Sequence, residues 1–254
     1  MPYPILNTVD PDSSRSATCA LAVMAKAPRP GKVKTRLCPP LTLEESAALN
    51  ICFLKDTTEN IARVASGGRS AGLVCYTPAG DEALFEGILP DNFSLILQRG
   101  DGFGERLLAA TDDILACGFG AVCLIDSDSP TVPSTAFEQA VVELNHPGDR
   151  IVLGGSNDGG YYLIGLKLPH PEPFQNITWS TSAVLAETIA AAEAARIEVV
   201  QLPLWYDVDD SESLAILKGE LLEQTPPAFA ITPGYPASYS RIFLENLRAT
   251  AYNS

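Results

Sequence analysis

Residues 19–37 read CALAVMAKAPRPGKVKTRL, and the fold turns on where this stretch changes character. Cys19 to Ala25 is an apolar run and reads as a first strand. It stops at a loop, Lys26 to Pro40, rich in Pro, Gly, Lys and Arg. Thr42 then precedes Leu43-Glu44-Glu45, an N-cap with an acidic first turn, which predicts a helix to about Ala65.

The same alternation continues downstream. Ala71 to Thr77 reads as a strand, Asp81 to Gly87 as a short helix and Ser94 to Gln98 as another strand. A turn at Asp101-Gly102-Phe103-Gly104 leads to a helix from about Glu105 to Cys117, then a buried strand from Ala121 to Ile125. Strands separated by helices imply βαβ units in a mostly parallel sheet covered on both sides. Ile151–Gly154 and Tyr161–Leu166 flank a Gly-rich turn, so the sheet is expected to be mixed there. A helix at about Ser182–Ala195, a strand at Glu198–Leu202 and a helix near Glu212–Leu222 complete residues 17–224, expected to be one domain. Residues 225–254, with four prolines and an amphipathic helix near Tyr239–Leu247, are expected to pack on it.

The 254 residues carry 17 Lys+Arg against 31 Asp+Glu, a formal charge of -14. That balance repels phosphate backbones and argues against nucleic acid as a partner. Six cysteines without a C-x-x-C pair fit a reduced, cytoplasmic protein, and two histidines beside prolines make a His-rich zinc site improbable. The apolar stretches reach about ten residues, too short for a membrane span. Residues 17–25 are read as a buried strand and not as a signal segment, because Asp10 and Asp12 precede them.

Four clusters carry the candidate chemistry. In the first, Lys26, Arg29, Lys32, Lys34 and Arg36 crowd behind the first strand, the edge where doubly wound sheets bind ligands. Gly31 permits close approach of the backbone, and the cations could hold a diphosphate. The plain alternative is a solvated basic loop. In the second, LIDSDSP ends an apolar strand in Asp126-x-Asp128, hard oxygen donors suited to Mg²⁺ or Mn²⁺, or an Asp-rich turn capping the next helix. In the third, NDGGYYLIGL, Asp158 could accept from sugar hydroxyls or act as a base, or merely form a hairpin turn. In the fourth, WYDVDD, Asp209 could be a further metal ligand, while Asp210 and Ser211 could be helix caps.

Together these segments resemble the GT-A nucleotide-diphospho-sugar transferase superfamily. More closely, they resemble its bacterial branch of glycosyltransferase A-like proteins, which includes members assigned to arsenosugar biosynthesis. The resemblance runs from about Ala20 to Leu217 and rests on AKAPRPGKVKTRL, DSDSP, DGGYYLIGL and DVDD, with GDGFGERL and WST in support. It implies a three-layer, Rossmann-like α/β/α sandwich with Lys26, Lys34 and Arg36 beside the nucleotide phosphates and Asp128 on the metal. Relatives often carry a small residue where this chain has Asp126. Either the D-x-D is fuller here, or Asp126 faces the ribose. Gly102, Glu105 and Arg106 would line the nucleotide or acceptor side, although Glu105 could equally serve its helix start.

The expected activity is metal-dependent transfer of a sugar from a nucleotide-diphospho-sugar to a small-molecule acceptor by a monomer or homodimer. Lys34 and Arg36 would stabilise the diphosphate, and Asp158 or Asp209 would position or deprotonate the acceptor. The basic loop also resembles that of guanylyltransferases acting on phospholactate. A nucleotidyltransferase would need a second cationic patch, and only Arg99, Arg106, Arg150 and Lys167 stand out between residues 80 and 170. A non-catalytic sugar-nucleotide sensor is the third reading.

Overall fold

The computed structural model describes residues 3–252. Strand β1 (Cys19–Lys26) is central. Its alternate residues feed two cores, Leu21, Val23 and Ala25 on one face and Ala20 and Ala22 on the other, which is why the run is apolar without a break. Helix α1 (Leu43–Ala65) follows, and Thr42 is its N-cap as expected, within a full capping box: Thr42 Oγ1 accepts from Glu45 N at 3.1 Å and Glu45 Oε2 accepts from Thr42 N at 2.8 Å.

Strands β2 (Ser70–Thr77) and β3 (Ser94–Leu97), helix α2 (Phe103–Ala116) and strand β4 (Ala121–Ile125) come next. After helix α3 (Ser134–Asn145) come β5 (Arg150–Ser156), β6 (Tyr161–Leu166), α4 (Val184–Ala194) and β7 (Glu198–Trp205). Helices α5 (Ser211–Glu223) and α6 (Ser238–Tyr252) end the described chain. The sheet order is β3-β2-β1-β4-β6-β5-β7. Only β6 runs against its neighbours; every other pairing among the described strands is parallel. The fold is thus the mixed, mostly parallel α/β sandwich read from the sequence.

Helix α3 has no bounds in that reading, which has only a helix capped after DSDSP, although Ala136, Phe137, Ala140, Val141 and Leu144 bury one helical face. Strand β7 outruns its expected end at Leu202 and includes Pro203. An edge strand tolerates a proline, and β7 is the last strand of the sheet. Helix α2 begins at Phe103 and not Glu105, while α4 begins at Val184 and not Ser182. Helix α6 docks on α1 through Asp56, whose carboxylate accepts from Tyr239 N (3.0 Å), Ser240 N (2.8 Å) and Ser240 Oγ (2.6 Å). All six cysteines are free. Among the described residues no helix is long and apolar enough to cross a membrane.

The topology decides where chemistry can occur. From β1 the chain steps outward to β2 and β3, then returns to place β4 on β1's other side, with Val23 opposite Ile125. This reversal opens a crevice beyond the carboxyl ends of β1 and β4. The loops after Lys26 and Ile125 face each other across it.

Candidate active site

Two adjoining cavities occupy this edge. The first, about 260 Å³, is lined by Lys26, Lys32, Lys34, Arg36, Asp128 and Asp209 among others. The second, about 460 Å³, shares Arg36, Asp128 and Asp209, and continues past Asp126, Asp158 and Asp207 to Phe103, Tyr161 and Trp179. Four of the five loop cations therefore face one cavity. Arg29 does not: its Nε and Nη2 hold Asp81 in a bidentate pair at 2.9 and 2.5 Å.

Lys34 occupies the junction. It adopts a left-handed backbone (φ 49°) at the head of the short helical turn Thr35–Leu37, and its side chain is only 5% exposed. Its Nζ lies 2.9 Å from Asp128 Oδ1 and 2.7 Å from Asp209 Oδ1, and donates to Val208 O at 2.7 Å. Burial opposes its charge, but the two carboxylates outweigh that cost and raise the ammonium above the usual lysine value. Arg36, from the same turn, is 76% exposed and reaches Asp209 Oδ2 only at 3.8 Å. The residues expected to share one role thus differ: Lys34 neutralises the acids, while Arg36 stands open to a ligand.

The two acidic motifs are stitched together by backbone. Val208 N donates to Asp128 O at 2.9 Å, and Asp126 N donates to Tyr162 O at 2.9 Å. Trp205 Nε1 donates to Thr131 Oγ1 at 3.1 Å. Asp126, expected as a metal ligand, has its oxygens engaged by its own turn: Ser129 Oγ at 2.7 Å and, at 3.4 Å, Asp128 N. Burial, reinforced by the charge of Asp128, pushes its carboxyl well above the ordinary range. The expected trio Asp126, Asp128 and Asp209 does not form a ligand set. Among the described residues no group of three or more His, Cys, Asp or Glu is placed to hold a metal ion.

Asp158 sits in the turn between β5 and β6, where its Oδ1 accepts from Gly160 N at 2.8 Å. Gly159 (φ +93°) has no room for a side chain, because a Cβ would meet Ser182 O at 2.2 Å. The glycine thus lets the β5–β6 turn and the loop before α4 close on each other. Gly31 (φ +72°), Gly102 and Arg106 do not line either cavity. Glu105 Oε2 accepts from Asp101 N (3.0 Å) and Gly102 N (3.1 Å), so it caps α2. Asp210 caps α5 through Glu212 N and Ser213 N.

Sequence reasoning left out three contributors. Asp207 lines the second cavity and accepts from Ser156 Oγ at 2.8 Å; burial raises its carboxyl, with Asp158 and Asp209 adding to the shift. Phe103 and Trp179 stand edge to face, ring centres 5.1 Å apart, at the cavity rim. The signal for Asp207 was its place in WYDVDD, but nothing local tells which of three acids faces a neighbouring strand.

Comparison with known proteins agrees with the topology. The family described as "uncharacterized protein conserved in bacteria" (DUF2064) matches residues 60–181, a span containing DSDSP and DGGYYLIGL but not the basic loop or WYDVDD. No curated protein matches the chain. A crystal structure from Desulfovibrio desulfuricans G20, provisionally described as a nucleotide-diphospho-sugar transferase, is 29% identical with a TM-score of 0.76, covering 91% of this chain and 95% of that one. A CMP:2-keto-3-deoxy-manno-octonic acid synthetase complexed with CTP shares the fold at 11% identity (TM-score 0.53; 82% and 99% covered). So does the 4-diphosphocytidyl-2C-methyl-D-erythritol synthase of Anaerococcus prevotii DSM 20548, at 10% identity (TM-score 0.52; 83% and 99% covered). The resemblance carried by the four motifs therefore holds at the level of the superfamily: in fold and over most of its length the chain is similar to GT-A-like nucleotide-diphospho-sugar transferases, with residues 60–181 matching DUF2064.

Proposed function

We propose that the protein is a transferase, and specifically a metal-dependent glycosyltransferase that moves a sugar from a nucleotide-diphospho-sugar to a small-molecule acceptor. The observation that carries this reading is the junction of a cation-lined and a carboxylate-lined cavity through Arg36, Asp128 and Asp209. A donor's diphosphate suits the first and the hydroxyl groups of a second substrate suit the other. The similarity to the Desulfovibrio protein supports the same assignment.

The donor set fits a divalent cation in part. Asp128 and Asp209 each meet the Lys34 ammonium through Oδ1, so a divalent cation would be held by their other carboxylate oxygens. Mg²⁺ is commonly held by one or two carboxylates together with substrate phosphates, so these two acids suffice, and Asp126 is not needed. When bound, the metal would supply Lewis-acid neutralisation of the diphosphate leaving group.

The chain's own residues do the rest. Lys26, Lys32 and Arg36 hold the diphosphate by charge-assisted hydrogen bonds. Lys34 cancels part of the negative charge of Asp128 and Asp209, so the donor does not enter against two bare carboxylates. Asp209 is committed to that pair, which leaves Asp158 to orient the acceptor hydroxyl and take its proton. A nucleotidyltransferase would use the same loop, but it would need cations where the second cavity presents acids.

Calorimetry with UDP and GDP, with and without Mn²⁺, tests the proposal. Binding is expected to strengthen with the metal, and Asp128→Ala is expected to abolish that gain. Equal affinity with and without metal would remove the metal assignment. Pyrophosphate release from a triphosphate would replace the glycosyltransferase reading.

A further inference from the structure

The second cavity carries a combination that donor binding does not explain: carboxylates along its floor, an aromatic pair at its rim and a single cation, Arg36. Phe103 is 47% exposed at the first turn of α2, where its ring stands against Trp179. Trp179 packs over Gly104, whose missing side chain makes room for the indole: a Cβ there would meet Nε1 at 2.8 Å. The loop bearing Trp179 is tied down on both sides. Thr178 N and Oγ1 donate to the Glu187 carboxylate at 2.6 and 3.0 Å, and Thr181 Oγ1 donates to Thr178 O at 2.7 Å. The indole is therefore positioned before any ligand arrives, which lowers the ordering cost of binding.

We infer that this cavity takes a neutral, polyhydroxylated acceptor, with Trp179 and Phe103 as the wall that sets its specificity. The inference rests on the transferase reading of the adjoining basic cavity. A carboxyl group, ionised or not, offers lone pairs to hydroxyl donors, about four sites when ionised. Ser156 Oγ uses one site of Asp207 and Gly160 N one of Asp158, so hydroxyl donors still find acceptors. The apolar C–H faces of a polyol ring match exposed aromatic rings, whereas a phosphate would face Asp158 and Asp207, which Lys34 does not pair, with one guanidinium in the lining to offset them. A phosphorylated second substrate, the kind a nucleotidyltransferase takes, is thereby disfavoured.

The chain's two tryptophans make the test direct, because Trp205 is 1% exposed and only Trp179 borders the cavity. Acrylamide quenching of the full-length protein would be measured with methyl glucoside, myo-inositol and glycerol, then with glucose 6-phosphate, glycerol 3-phosphate and choline. The neutral compounds are expected to shield Trp179, with the phosphorylated ones at least about tenfold weaker. By calorimetry, Trp179→Ala and Phe103→Ala are each expected to weaken the best neutral ligand by about tenfold, and Trp179→Phe by much less. Tighter binding of a phosphorylated compound or of choline would overturn the inference. So would an absence of shielding, or unchanged affinity in both alanine variants. UDP with Mn²⁺, titrated into the same samples, separates the two proposals. Nucleotide binding without shielding removes only the acceptor assignment. Shielding without nucleotide binding keeps the polyol site and removes the donor reading.

Discussion

Lys34 and Arg36 lie two residues apart in one turn, yet the structure gives them opposite environments. Lys34 turns inward and holds Asp128 and Asp209, whereas Arg36 turns outward with three quarters of its side chain in solvent. The same opposition separates the cavities they border, one walled by cations and the other by carboxylates and aromatic rings. A cation's contribution here depends on burial more than on charge. A buried ammonium maintains the architecture of the acids, while an exposed guanidinium costs the fold little and is free for a ligand.

The largest effect that would sharpen this contrast is expected from Lys34→Met, which keeps the stem near Phe53 but leaves Asp128 and Asp209 facing each other. Urea unfolding should show a loss of about 3 kcal/mol, the low end for breaking a buried pair, because both acids reach solvent. Adding Asp128→Asn and Asp209→Asn should restore most of it. A triple variant no more stable than Lys34→Met would show that Lys34 does not act through these acids.

Gly104→Ala should come next, at about 2 kcal/mol, because the added methyl group would meet Phe174 O at 2.6 Å as well as the indole. Its signature is a shift in tryptophan emission with the basic cavity untouched. Unchanged emission would break the link between Gly104 and the rim.

Arg36→Ala is expected to cost less than about 1 kcal/mol of stability, since its one ion pair is long and exposed. Its affinity for UDP should still fall by about tenfold. Stability and affinity falling together would erase the division of labour between the two cations.

The smallest effect concerns a buried acid outside both cavities. Burial raises the carboxyl of Asp56, although the Ser240 and Tyr239 donors pull the other way. A carboxyl raised in the folded state holds its proton longer there than in the unfolded chain. Its contribution is therefore complete below the unfolded value near 4 and is lost as pH rises through the folded value. The melting-temperature advantage of wild type over Asp56→Asn should accordingly shrink as pH rises from 4. An advantage that grew instead would reverse the assigned direction.

Much of the fold was legible. The N-cap at Thr42 and the acidic turn after it fixed the start of α1, and unbroken apolar runs marked β1 and β4. Helix α3 was legible only as a helix capped after DSDSP, without bounds, despite its periodic burial of Ala136, Phe137, Ala140, Val141 and Leu144. The site was legible as clusters and not as roles. DSDSP and WYDVDD each offer several acids, and a linear pattern cannot tell the one that caps a helix, Asp210, from the one that meets Lys34, Asp209.

By itself the sequence determined that strands alternate with helices and that cations gather behind the first strand, because hydrophobic period, caps and charge density are local properties. Only the tertiary structure decided that β4 lies beside β1, that β7 carries Asp207 and Asp209 to the same crevice, and that Lys34 is buried there. Residues 175 positions apart become partners through strand order, and each side chain's charge state then follows from the burial and the neighbours that this order imposes.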